Sequence, residues 1–173
     1  YDQLQEDVVP FLESRGVTVH GVLPRERELA GVTVGELADD LGADLLTDVP
    51  TDAFVERFSV AAMGPDAALR GLRRTKDTAV ITGGDRSEIH TAALEAPGVK
   101  CLILTGGHRP SGAVLGKAAE KGVPVMVVNS NTLTTIERAE DVVRVGRTRD
   151  EGTVERMGEL LAGHADLDGI LGD

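Results

Sequence analysis

From Thr78 onward, short apolar runs alternate with stretches of helical length. Thr78–Ile81, Val99–Leu104 and Val123–Val128 are apolar at consecutive positions rather than at every second one. That pattern marks strands buried on both faces of a parallel sheet. Ser87–Glu95, Ser111–Glu120 and Thr132–Ala139 follow them in turn as helices. Three uninterrupted βα units predict an α/β fold with a mostly parallel sheet covered by helices on each side. Val142–Val145 adds a candidate last strand and Asp150–Ala162 a last helix, before a Gly- and Asp-rich tail, 163–173, expected to be flexible.

The first third of the chain is less regular. Asp2–Arg15 has helical periodicity with Leu4, Val8, Phe11 and Leu12 on one face, ended by Gly16. Val17–Pro24 reads as a buried strand running into a loop. Thr33–Leu41 is a short helix, with Thr33 and Glu36 in a capping-box spacing and Gly42 as its stop. Leu45–Leu46 can add a short strand. The polar stretch Asp48–Asp52, which carries Pro50, is the expected boundary. Phe54–Met63 reads as a strand, although its pattern also fits a helix. Gly64–Pro65 then opens a helix ending near Arg74, with the proline at its first position.

The chemistry concentrates where two of the strands end. Thr82-Gly83-Gly84-Asp85-Arg86 and Thr105-Gly106-Gly107-His108-Arg109 repeat one pattern, Thr-Gly-Gly-(Asp or His)-Arg. Each copy lies where a parallel strand hands over to a helix, the edge at which open α/β sheets hold ligands. Neighbouring strands run about 5 Å apart, so both loops would open on one rim. Paired glycines allow close backbone approach and free N–H groups, the next helix adds positive charge at its N-terminus, and arginine supplies a forked donor for phosphate or carboxylate. The plainer reading is two tight turns; the duplication sets a shared anion pocket level with it.

Individual residues divide in the same way. Asp85, three residues before Glu88, fits the cap of the following helix, and a capping carboxylate makes a poor general base. Histidine as a residue type suits acid–base work near neutral pH, so His108 could serve as a base, or it is an ordinary surface residue. His90 could share a metal with Asp85 and His108, although nothing in the spacing demands it. Asn129 ends the third strand on the same rim, where Ser130 or Asn131 is the expected cap of the next helix. The candidate ligand-binding set is therefore Thr82, Gly83, Gly84, Asp85, Arg86, Thr105, Gly106, Gly107, His108, Arg109 and Asn129, with no catalytic or metal-binding residue assigned. A P-loop of the form Gly-x-x-x-x-Gly-Lys-(Ser/Thr) is absent, and the dinucleotide fingerprint lacks its third glycine.

Composition narrows the partners. With 29 acidic against 18 basic residues the net charge is −11, which repels nucleic-acid backbones. Only 2% of residues are aromatic, too few for base-stacking platforms or a membrane belt. No apolar run reaches the length of a membrane span and no signal pattern is present, so a cytoplasmic protein is expected. Scarce lysine and abundant carboxylates fit adaptation to high salt and fit an ordinary acidic protein equally well. Cys101, the lone cysteine, is expected to be buried and inert. A first residue of Tyr1 leads us to expect a piece of a longer protein.

Val80-Ile81-Thr82-Gly83-Gly84-Asp85-Arg86-Ser87-Glu88-Ile89, the second loop with its strand from Cys101 to Pro110, Val123-Pro124-Val125 and Asn131–Thr135 together resemble the DRTGG domain found in the amino-terminal part of long phosphotransacetylases. The likeness covers roughly 52–139. Upstream, Val19–Arg27 is similar to the end of a dethiobiotin synthetase-like nucleotide-binding domain. The resemblance implies a three-layer α/β/α sandwich like the amino-terminal domain of HPr kinase, with division into 1–47, 48–162 and the tail. It implies a regulatory or ligand-sensing role without catalysis and without a cofactor, for a small anionic metabolite or nucleotide. An assembly module, with homo-oligomers as partners, is the second reading; an acyl or phosphoryl transferase using His108 is the third.

Overall fold

Residues 1–26, 29, 31–146 and 151–172 are described in the computed structural model of the protein. Two compact units emerge, one formed by residues 1–30 with 147–173 and the other by 31–146. The second unit begins ahead of the boundary expected at Asp48–Asp52.

The larger unit is built on a five-stranded sheet in the order β2-β7-β6-β5-β4. Its strands are β2 (Asp44–Leu45), β4 (Arg57–Val60), β5 (Thr78–Gly83), β6 (Val99–Thr105) and β7 (Val125–Val127). Strands β4 to β7 are mutually parallel, and β2 closes one edge antiparallel to β7. Alternate residues of the apolar runs feed two cores. Val80, Leu102, Leu104, Val125 and Val127 pack with the helices Pro65–Leu72, Ser87–Leu94 and Gly112–Glu120. Ala79, Ile81, Cys101, Ile103 and Met126 face the other way, against the helices Val34–Leu41 and Thr132–Gly146. The three-layer α/β/α architecture follows from strands with no polar face to turn toward water.

Local signals explain the edges of this framework. Thr33 and Glu36 form the reciprocal capping box, and Gly42 ends the helix in the left-handed conformation at φ 63°. Phe54–Met63 is not one strand. Phe54–Val55 (β3) pairs antiparallel with Val32–Thr33 (β1), and β4 enters the main sheet. Val142–Val145 is not a strand but the continuation of the helix Thr132–Gly146. A four-residue apolar run fits either structure by pattern, and the packing of Ala139 and Val143 on one helix face decides it.

In the smaller unit a π-helical segment, Leu4–Val8, leads into the helix Val9–Ser14, and Gly16 at φ 80° follows. The apolar face expected there is not buried: Phe11 is 56% exposed. Val17–Pro24 is no strand; among the described residues its sheet contact is a single bridge, Gly21 to Ala165. The helix Glu151–His164 occupies the expected place, with Asp150 outside the described residues. The segment expected as a flexible tail carries the helix Leu167–Leu171, capped by Asp166, while Asp173 lies outside the described residues. Among the described residues, no helix is long and apolar enough to cross a membrane.

Candidate functional site

Both glycine corners lie on one rim. Gly83 is in register with Thr105 across the β5–β6 pair, so the loops leave adjacent strands at the same level. They touch there. A Cβ on Gly84 would lie 2.0 Å from the carbonyl oxygen of His108, so only glycine fits this crossing.

The threonines tie the rim together rather than facing a ligand. Thr82 and Thr105 are buried. The Thr82 hydroxyl donates to the Ala61 carbonyl at 3.2 Å, and the Thr105 hydroxyl to the Thr82 carbonyl at 3.4 Å. Thr132 then donates its own hydroxyl to Thr105 Oγ1 at 2.9 Å. Hydroxyls at the ends of β5 and β6, and at the start of the helix after β7, thus each reach back toward the preceding strand end. The repeated Thr-Gly-Gly spelling carried that signal, but a loop pattern does not reveal which way a threonine turns.

The glycine amides are also engaged. Gly84 N–H donates to Thr105 O, Gly106 N–H to Ser130 O and Gly107 N–H to Val128 O, at 3.1, 2.9 and 2.9 Å. These bonds stitch each loop to the next, and these three amides are not available for the cradle that the sequence leads us to expect. Asp85 is not the helix cap. The N-cap of Ser87–Leu94 is Arg86, without a side-chain capping bond. Asn131 does cap the next helix, accepting from Thr134 N–H at 2.9 Å.

The arginines differ. Arg86 Nη1 and Nη2 donate to the carbonyls of Ala61 and Met63, each at 3.0 Å, and Nε lies 3.7 Å from Glu88. Its guanidinium secures the chain beyond β4. Arg109 is 67% exposed and reaches Asp44 at 3.6 Å. Such an open ion pair contributes at most about 1 kcal/mol. Asp85, His108 and Asn129 are exposed on the same rim, and a Cβ on Gly107 would lie 3.0 Å from Asn129 Oδ1.

His90 is the residue whose environment the sequence did not disclose. It is fully buried beneath the first loop and bonds the Gly83 carbonyl through Nε2 at 2.9 Å. A carbonyl can only accept, so Nε2 carries the proton and Nδ1 is left a bare acceptor. Among the described residues, that Nδ1 is buried with no partner. Burial lowers the His90 pKa, opposed by the Gly83 bond and by the Glu88 and Asp85 charges, while Arg86 lowers it further. The imidazole is therefore held neutral. Among the described residues no group of three His, Cys, Asp or Glu side chains could hold a metal. Cys101 is buried, and desolvation pushes its thiol up to about 12, which leaves it unreactive.

The DRTGG domain model matches residues 36–142, more than half of the chain and all of the sheet's parallel strands. The chain belongs to the DRTGG domain family. Its fold is similar to that of the CBS and DRTGG domains of the regulatory region of Clostridium perfringens pyrophosphatase, a structure complexed with the activator diadenosine tetraphosphate. The TM-score is 0.52 at 21% identity, over 76% of this DRTGG chain and 54% of that one. The present chain thus spans about half the length of that regulatory region.

Proposed function

We propose that this chain is a regulatory module that senses a small anionic metabolite or nucleotide on the rim formed by its two glycine corners. The observation that carries the reading is the crossing of Gly84 with the His108 backbone, which brings two loops to one edge. Asp85, His108, Arg109 and Asn129 are exposed on that edge. Arg109 is the cation free to exchange a weak partner for a ligand, whereas Arg86 supports the loop from behind. The helix Ser87–Leu94, lacking a side-chain cap, adds partial positive charge beside it. Family membership and the nucleotide-bound regulatory region of similar fold support a ligand of this class. The whole role, cytoplasmic and non-catalytic, belongs to the proposal, as does a phosphotransacetylase-like parent protein.

A thermal-shift screen with nucleotides, coenzyme A derivatives and acyl phosphates at low and high salt tests it. A ligand should raise the Tm, and Arg109→Ala or His108→Ala should abolish the rise while leaving the unliganded Tm nearly unchanged. If no ligand shifts the Tm, or the shift survives in both variants, the rim is not a sensor. High salt matters for a second reason: retained folding only at molar salt would favour the halophilic reading of the acidic surface.

Assembly is the second reading. What favours it is the smaller unit, where Phe11, Ile170 and Leu171 are 56%, 54% and 80% exposed. Apolar side chains left in water on so small a unit suit a contact with another chain. The likeness of residues 19–27 to the end of a dethiobiotin synthetase-like domain supports a nucleotide-binding neighbour; Arg27 lies outside the described residues.

A further inference from the structure

The opposite edge of the sheet, where the strands begin, holds a cleft of about 440 Å³. Its accessible apolar lining is Ala53, Pro97 and Val123, over the buried Leu94, Ala96 and Val99. Lys100 and Lys121 line its lips together with Glu95. The chain has four lysines against 29 carboxylate residues, and all four gather at this edge. Lys117 and Lys121 both pair with Glu95, and Lys100 lies 3.3 Å from Asp77. Lys76 runs beneath Gly98, whose Cβ position is 3.1 Å from the Lys76 Cα. Helix C-termini favour cations and account in part for Lys117 and Lys121. They do not account for Lys100, which sits on a strand.

We infer that this cleft is a second binding site, for an aliphatic carboxylate whose chain lies on Ala53, Pro97 and Val123, above Leu94, Ala96 and Val99, and whose head group is held by Lys100 and Lys121. An apolar hollow with a few convergent charged groups is the usual form of a small-molecule site, and its volume lies within the usual range. Glu95 lines the same cleft and competes for Lys121 from within the chain, as Asp77 does for Lys100. Lys117 and Lys121 hold its carboxyl below the usual range through hydrogen bonds and charge, so an incoming carboxylate meets cations already gathered for one. The site does not depend on the sensing rim, which lies at the other end of the strands.

The test is a hexanoate titration of the full chain at low ionic strength, followed by amide chemical shifts. Shifts should map to Leu94, Ala96 and Val99 and weaken with added salt. The Lys100→Ala/Lys121→Ala double variant, at two partly exposed positions, should bind about tenfold more weakly, since a charge-assisted bond is worth about that much. Glu95→Gln should bind more tightly, by about threefold, because it removes the internal competitor. Hexanol and inorganic phosphate, each offering half of the ligand's chemistry, should bind more weakly than hexanoate. The proposal is overturned if hexanoate leaves these amides unmoved, if hexanol binds equally well, or if Glu95→Gln weakens binding.

Discussion

At the end of β5 the arginine folds back onto the carbonyls of Ala61 and Met63, whereas at the end of β6 it reaches an exposed carboxylate, Asp44. The glycines differ as well. Gly106 and Gly107 sit at φ 81° and 71°, while Gly83 and Gly84 are not at positive φ. In the second corner glycine is required by backbone conformation. In the first, Gly84 is required by the nearness of His108. One spelling thus serves two physical demands: the inner corner is a support, and the outer corner is the exposed surface. A repeated motif reports a repeated position in the fold, not a repeated job.

Replacing Gly84 should separate the corners most sharply. Gly84→Ala forces a methyl group into the His108 carbonyl and should cost about 3 kcal/mol by overpacking, read as a lower urea midpoint. Gly106→Ala, where a Cβ meets nothing closer than 3.6 Å, should cost only the left-handed strain of about 1 kcal/mol. Equal losses would mean that the loops do not cross as described.

The arginines give a smaller contrast. Arg86→Ala removes two bonds to backbone carbonyls and should destabilise by about 2 kcal/mol. Arg109→Ala should change stability by no more than about 0.5 kcal/mol, as measured by the same denaturation. A reversal of that order would exchange their roles.

The least abrupt difference concerns pH and belongs to the inner corner alone. His90 has a folded pKa below its ordinary 6.5 because it is buried. The unfolded chain therefore binds the extra proton first, and stability falls as the pH drops below about 6.5 toward the lowered folded value. Above that range the contribution is fully present. Urea midpoints measured from pH 7.5 to 5.5 should show this slope, and His90→Gln should flatten it. A slope unchanged in the variant would assign it to other groups.

Much of this was legible from residue order. Val80-Ile81 and Leu102-Ile103-Leu104 have no polar face, so burial on both sides of a parallel sheet was the consistent reading. The capping box at Thr33 and the glycine stop at Gly42 are local, and they appear where their spelling predicts. Misreadings arose where local preference was weak. Val142–Val145 joined a helix because its neighbours Ile136 and Ala139 already faced the core. Asp85 lost the capping role because the helix begins one residue later, at an Arg86 cap position.

Chain order determined the α/β class, the succession of strand and helix, and the placing of two glycine corners at successive strand ends, because these depend on periodicity and turn chemistry within a few residues. Three-dimensional packing alone decided that the threonines face inward, that the loop amides bond to neighbouring loops, that one arginine braces while the other stays open, and that four lysines meet at the far edge. Each of those outcomes depends on atoms more than 20 positions apart or on opposite sheet faces. Their orientation is set by competition among distant donors and acceptors, which no short window of residues contains.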